Sequence, residues 1–235
     1  MGDGSLRSDA EGVERTVRAE FARGETRLPA SVAVLFAAAM HALLPNSLLV
    51  GPRFTIPAVE LAMLVPLIAI NPRRLTTETR WSRMVGLGLV LVIIAANLVA
   101  LWFLLRDLTV AHIHDGRHLL LAALQIYLTN IIAFALVFWE LDRGGAVARI
   151  DPSAAHTQPD FQFTRDGDPP AADGTQTWRP SFVDYLYLSI TNSTAFSPTD
   201  TLPLTTRAKL LMSVEGLASL IMSLLVIARA VNILN

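Results

Sequence analysis

Residues 181–235 read SFVDYLYLSITNSTAFSPTDTLPLTTRAKLLMSVEGLASLIMSLLVIARAVNILN, and their order of parts decides the fold. The stretch opens with an amphipathic segment too short to cross a bilayer. A polar run follows, then an apolar segment from about Lys209 to Ala230, long enough to span with some tilt. A short helix, an irregular polar segment and a long helix predict a re-entrant hairpin. Non-helical backbone survives at membrane depth only where protein buries it or where it lines a wet cavity.

The residues of this stretch resemble the pore module of the tetrameric, potassium-channel-like superfamily. Ser181, Phe182 and Asp184 stand where family members open the pore helix, and Tyr187 and Ser189 fall along it. Thr191 and Thr194 match filter-entry threonines, Asp200 falls near the acid that closes the filter, and Pro203 and Thr205 match the turn after it. Lys209-Leu210-Leu211, Glu215, Leu217 and Ala228-Arg229 fit the inner helix. The resemblance covers roughly the last quarter of the chain. It implies a fourfold homo-oligomer with the last helices around the axis, because one re-entrant hairpin cannot enclose a pore.

One departure bears on selectivity. In place of the two filter glycines the chain carries Thr194-Ala195-Phe196-Ser197-Pro198-Thr199-Asp200, one residue longer and glycine-free. Potassium filters present successive backbone carbonyls to the ion. The alternating backbone this needs uses left-handed values open to glycine and closed to proline. The expectation is a pore that is not potassium selective, in which Thr191, Asn192, Ser193, Thr194, Ser197 and Thr199 supply hydroxyls and an amide and four copies of Asp200 favour inorganic cations. These polar residues are also the preferred caps and turn formers. The alternative is therefore a non-conducting scaffold that keeps the channel fold, which Phe196 and Pro198 favour. On the last span Glu215 is expected to support the pore, since an intramembrane carboxylate faces the bundle interior or a cavity by default. Gly216 reads as a packing position or a hinge, and Ser219 and Ser223 as small polar positions on the same helix.

Composition agrees with a membrane protein. Of 235 residues 52% are hydrophobic and only 17% charged, against about a quarter in soluble domains. Mean hydropathy is +0.46. The absence of cysteine excludes disulfides and thiolate chemistry, and a net charge of −1 gives no reason to expect nucleic-acid binding. The predicted fold class is all-α: a polytopic protein of the plasma or inner membrane with about five spanning helices and the hairpin before the last. Residues 1–27 are a polar tail with Val13, Val17 and Phe21 on one helical face and no apolar core of the signal-peptide kind. Four spans fill 28–140, at about 28–50, 54–70, 84–105 and 119–139, the second broken by Pro57 and Pro66. Residues 141–180 are rich in Pro, Gly, Ala and Asp and are expected to be a flexible polar loop. The pore module fills 181–235.

Smaller signals carry less. His112, His114, Asp115 and His118 have metal-ligating side chains, but short histidine clusters in loops are mostly incidental, so no metal site is expected. His41, Glu60, Asn97, Gln125 and Asn130 are single polar residues in apolar spans and predict interhelical hydrogen bonds. There is no nucleotide loop, metalloprotease motif or nucleophile elbow, so neither an enzyme nor a cofactor is expected, and no internal repeat marks a transporter. With the N-terminus inside, fifteen of 19 Lys and Arg lie on that side, leaving Arg53, Arg106, Arg117 and Arg229 outside. The positive-inside rule then has the hairpin enter from the cytoplasm.

Overall fold

The computed structural model describes residues 25–49, 51–71, 75, 79–110, 116–149, 158–167, 178–195 and 200–234. The tail face of Val13, Val17 and Phe21, the residues His112, His114 and Asp115, and the filter-like Phe196, Ser197, Pro198 and Thr199 lie outside them. The chain is mostly helical. Its helices are α1 Leu28–Leu43, α2 Thr55–Ile70, α3 Arg80–Val110, α4 Gly116–Leu141, α5 Phe182–Ala195 and α6 Thr206–Leu234. Among the described residues two short strands, β1 Phe161–Phe163 and β2 Thr201–Pro203, pair antiparallel with Phe161 opposite Pro203.

Among the described residues, three stretches are long and apolar enough to cross a membrane: Arg80–Asp107, His118–Gly144 and Thr206–Ala228. They fall on α3, α4 and α6. The apolar helices α1 and α2 have 16 residues each, about 24 Å of rise against a hydrocarbon core of about 30 Å.

Local chemistry explains most helix ends. The first apolar block stops at Leu43, short of residue 50, because Pro45 pushes Leu44 into extended backbone (ψ 147°). The break expected in the second block does not occur. Pro57 sits in the first turn of α2, where its missing N–H has no intrahelical partner, and Pro66 lies inside the helix without ending it. Before α3, Thr79 and Ser82 cap each other: the Ser82 N–H donates to Thr79 Oγ1 (3.1 Å) and the Thr79 N–H to Ser82 Oγ (2.9 Å). Asp184 closes a similar box at α5, accepting from the Ser181 N–H (2.7 Å) and Oγ (2.8 Å). Thr205 caps α6 by accepting the Ala208 N–H at 3.2 Å.

Hydrogen bonds between elements show which helix ends meet. Arg27, just before α1, donates to the Leu67 carbonyl late in α2 (2.5 Å), and Arg83 at the start of α3 donates to Gly144 beyond α4. Glu25 accepts from the first N–H of α5 (Phe182, 2.7 Å), and Arg207 at the start of α6 pairs with Asp160. One end of the bundle therefore gathers the starts of α1, α3, α5 and α6 and the ends of α2 and α4.

Between α4 and α5 the described part of the chain includes β1 and short 3-10 turns. After α4 it reverses through three consecutive positive-φ residues, Arg143, Gly144 and Gly145. Arg143 is the unusual one, since a Cβ disfavours that region, and its guanidinium is held by Asp166 (2.7 Å). Phe161 and Phe163 of β1 are buried, in edge-to-face contact with Phe138, Tyr185 and Trp178.

Among the described residues two apolar clusters form the core. The larger lies toward the charged end, with Ile93, Phe134, Phe138, Phe161, Tyr185 and Met212 among its members. The smaller lies toward the other end, with Leu48, Leu104, Ile126, Ala218 and Met222.

Candidate functional site

Between the two apolar clusters runs a belt of buried polar side chains from four helices. Glu215 of α6 is its centre and is 0% exposed. Its Oε2 accepts from Asn192 Nδ2 at 2.6 Å, and its Oε1 accepts from Ser193 Oγ (3.2 Å) and Ser189 Oγ. Ser193 in turn accepts from Ser219 Oγ (2.9 Å), Ser219 from Asn130 Nδ2 (3.2 Å), and Asn130 Oδ1 from Asn97 Nδ2 (3.2 Å). The donors run in one direction, from α3 through α4 toward the carboxyl group. Asn192 also donates to the Met212 carbonyl (3.0 Å), and the Tyr127 hydroxyl reaches the Ser193 carbonyl (3.3 Å). Ser189 has one hydrogen for two acceptors, Glu215 and the Ile131 carbonyl at 2.7 Å.

The spacing accounts for the arrangement. Ser189, Asn192 and Ser193 sit at i, i+3 and i+4 on one face of α5, while Glu215 and Ser219 are one turn apart on α6. All three hydrogen-bonding groups aimed at Glu215 are neutral. A buried carboxyl without a cation is tolerated where its oxygens are met by donors in this way. Along α3, α4 and α6 the belt residues Asn97, Asn130 and Glu215 lie between members of the two apolar clusters.

The start of α5 is anchored by a second polar cluster at the charged end. Asp142 is fully buried and accepts from the Tyr185 hydroxyl (2.5 Å), the Asp160 N–H (2.7 Å) and the Phe161 N–H (3.3 Å). Burial, chiefly, pushes the Tyr185 hydroxyl well above its ordinary range, so it stays a donor to Asp142. Arg149 stacks over Tyr185 (5.1 Å) and pairs with Glu25 (3.2 Å), which also accepts from Trp139 Nε1 (2.8 Å). Asp160 holds Arg207 and Thr205 at the root of α6. The helix α5 is thus fixed at its start by Glu25 and Asp142 and near its end by Glu215.

The residues expected to form one constriction divide in two. Asn192 and Ser193 are buried against Glu215 inside the protomer. Thr194 is exposed and its hydroxyl bonds the Ile190 carbonyl (2.7 Å), while Thr191 is half-buried and bonds its own helix at Leu188 (2.9 Å) and Tyr187 (3.0 Å). These four lie in α5, as does Ala195, its last residue. Asp200 is exposed and accepts from the Tyr187 hydroxyl at 3.2 Å. Gly216 does not serve close packing within the chain, since a Cβ there meets no atom within 4 Å. Ser219 belongs to the belt, and Ser223 lies half-buried beside the Tyr127 hydroxyl. Asn97 and Asn130 make the interhelical bonds their positions predicted. The residues sequence reasoning passed over are Glu25, Asp142, Arg149 and Asp160, which sit in polar connections where composition hides a buried role.

No protein-family model, curated protein or solved structure matches this chain.

Proposed function

We propose that the chain is a subunit of an oligomeric, cation-permeable membrane pore that does not select potassium. The observation that carries this reading is the pairing of α5 and α6. Both begin at the charged end, α5 stops after 14 residues, about 21 Å, and Glu215 locks its last two turns onto α6. This pairing supports the reading of α5 as a re-entrant helix beside α6 as an inner helix. In this reading α1 and α2 are the short spans of a five-span protein whose termini lie on opposite sides.

In this reading the permeation path runs between copies, most simply four around one axis. The outward faces suit that role. Tyr187, Ile190 and Thr194 of α5 and Leu210, Val214, Leu217, Ile221 and Leu224 of α6 are exposed on the protomer. Thr194 and Asp200 are then the polar groups offered to an ion. The consumption of Asn192 and Ser193 inside the protomer favours a second reading, a scaffold that keeps the hairpin and does not conduct.

The two readings separate in vesicles loaded with a cation-sensitive dye. The pore predicts flux through the wild type, and a several-fold smaller flux or altered cation preference in Asp200→Asn and Thr194→Ala. Unchanged flux in both variants assigns conduction elsewhere, and no flux from an oligomeric wild type supports the scaffold.

Orientation follows from charge. Arg27, Arg83, Arg143, Arg149 and Arg207 cluster at the end where α5 enters, whereas Arg53 and Arg106 lie toward the other, so that end faces the cytoplasm. The chain has no cysteine of its own. An impermeant maleimide is expected to label Ser47→Cys in intact cells and Gln162→Cys only after permeabilisation. Labelling of Gln162→Cys in intact cells contradicts this orientation.

A further inference from the structure

Away from the α5–α6 hairpin, at the opposite end of the bundle, α1 and α2 stop short while α3 runs on. Leu43 ends α1 at the Pro45 break and α2 begins only at Thr55, whereas α3 continues to Val110. Toward this gap α3 presents Ala95, Ala96 and Ala100, whose methyl groups leave space unfilled, and a cavity of about 300 Å³ results. Leu48 and Ile56 help wall it, and its surface is almost wholly apolar. Ala95 and Val99, one turn apart on α3, line the cavity and are themselves exposed, and both lie in the stretch Arg80–Asp107 that is able to cross a membrane. The cavity therefore opens sideways at membrane depth. Trp102, 66% exposed and the next turn on from Val99, is of a type that sits at head-group level in a bilayer. One charge stands near this level: Arg53 is exposed, is the sole charged residue in 44–59, and lies in the chain between the lining residues Leu49 and Ile56. Its Nε and Nη2 donate to Asn46 Oδ1 at 3.2 and 3.0 Å, which holds the guanidinium beside the turn that carries Leu48.

We propose that the cavity holds one acyl chain of an anionic phospholipid whose phosphate pairs with Arg53. Apolar cavities stay dry, so water is not the expected content. Apolar walls suit a hydrocarbon chain, whereas a peptide or a polar ring would strand its own polar atoms there. The volume equals that of roughly ten water molecules at about 30 Å³ each, room for a run of about ten methylenes. A bilayer supplies such a chain through a mouth at membrane depth, and its head group then lies at the level of Trp102 and Arg53. Asn46 engages one edge of the guanidinium, and the planar fork of arginine matches phosphate oxygens. The connection 44–59 carries no acid to offset Arg53 except through a ligand beyond Glu60, which is buried, so a lipid with net negative charge is favoured over a zwitterionic one. The site rests on the reading of the chain as a membrane protein and is independent of conduction.

The test uses the full chain, delipidated in detergent and titrated with dioleoylphosphatidylglycerol, with bound lipid counted by native mass spectrometry. Saturable retention of about one lipid per chain is expected, about fivefold tighter than for dioleoylphosphatidylcholine. Ala95→Phe, which blocks the mouth from an exposed position, weakens retention at least fivefold while helical content and thermal unfolding stay close to wild type. Arg53→Gln, also at an exposed position, abolishes the preference for phosphatidylglycerol over phosphatidylcholine. Dihexanoylphosphatidylglycerol, with the same head group and short chains, binds at least tenfold more weakly to the wild type. Absence of saturable retention, equal retention by Ala95→Phe, a preference that persists in Arg53→Gln, or equal binding of the short-chain lipid overturns the proposal. Dissociation of the oligomer by Ala95→Phe with lipid retention unchanged assigns the mouth to a second copy of the chain and overturns it as well.

Discussion

Glu215→Leu is expected to destabilise the protomer by about 2–3 kcal/mol and to loosen α5 from α6. The substitution removes the one acceptor of Ser193 and one of the two of Asn192, both on buried side chains. Ser189 keeps the Ile131 carbonyl, which limits the loss. Hydrogen bonds between membrane helices average only about 0.6 kcal/mol, so three lost bonds set the lower figure. An orphaned buried donor, at about 1–3 kcal/mol, sets the upper. Glu215→Gln is expected to cost less than about 1 kcal/mol, because hydroxyls rotate: the amide oxygen can face Asn192 and the amide N–H the serine oxygens. Unfolding of the purified protein in detergent, with oligomer size followed alongside, measures both variants. A leucine variant as stable as wild type removes Glu215 from its central place.

The second large effect is expected at the other anchor of α5. Asp142→Ala strips an acceptor from the Tyr185 hydroxyl and from two backbone N–H groups, and leaves Arg143 without the carboxylate 3.5 Å from its Nε. Breaking a buried charged network of this kind costs about 3–5 kcal/mol. Asp142→Asn retains an oxygen for the backbone and should lose about half as much, since the Tyr185 hydroxyl can turn to accept from the amide. Tyr185→Phe alone removes one hydrogen bond, and its effect is expected to vanish in the Asp142→Ala background, as residues in one network are not additive. Limited proteolysis within 158–167 reports the local consequence. Pairing of β1 with β2 is expected to protect the wild-type segment, and Asp142→Ala to be cleaved there at least tenfold faster. Equal protection contradicts the anchoring role.

How far these features were legible in the residues differs from one element to the next. Long apolar blocks specify α3, α4 and α6 almost unaided, because a helix satisfies its own backbone where water is scarce. Pro45 marked an irregularity and ends α1. Pro66 suggested a break that α2 does not make, because losing one intrahelical bond is affordable inside a packed helix. The Ser189, Asn192 and Ser193 spacing puts three polar groups on one face of a short helix, and the intramembrane Glu215 asks for such a partner. Reading Thr191–Asp200 as a single loop obscured this, since α5 continues to Ala195 and turns only Asn192 and Ser193 inward.

The connection after α4 was the least legible part. Its Pro, Gly and Asp content is that of a solvated loop, and only the three-dimensional fold brings Asp142 under Tyr185 and Asp160 under Arg207. Such long-range pairing leaves no periodic trace. Glu25 is a similar case: it stands in a polar tail, yet it satisfies the first N–H of α5, 157 residues further on.

The most direct test of a pore between subunits is the reversal potential of the purified oligomer in planar bilayers under a potassium chloride gradient, followed by replacement of potassium with sodium on one side. A shift toward the cation equilibrium potential, little change on replacing potassium by sodium, and weaker cation preference in Asp200→Asn are the predicted results. A membrane that stays silent across voltages, pH values and divalent cations, with the protein shown to be oligomeric, contradicts the pore.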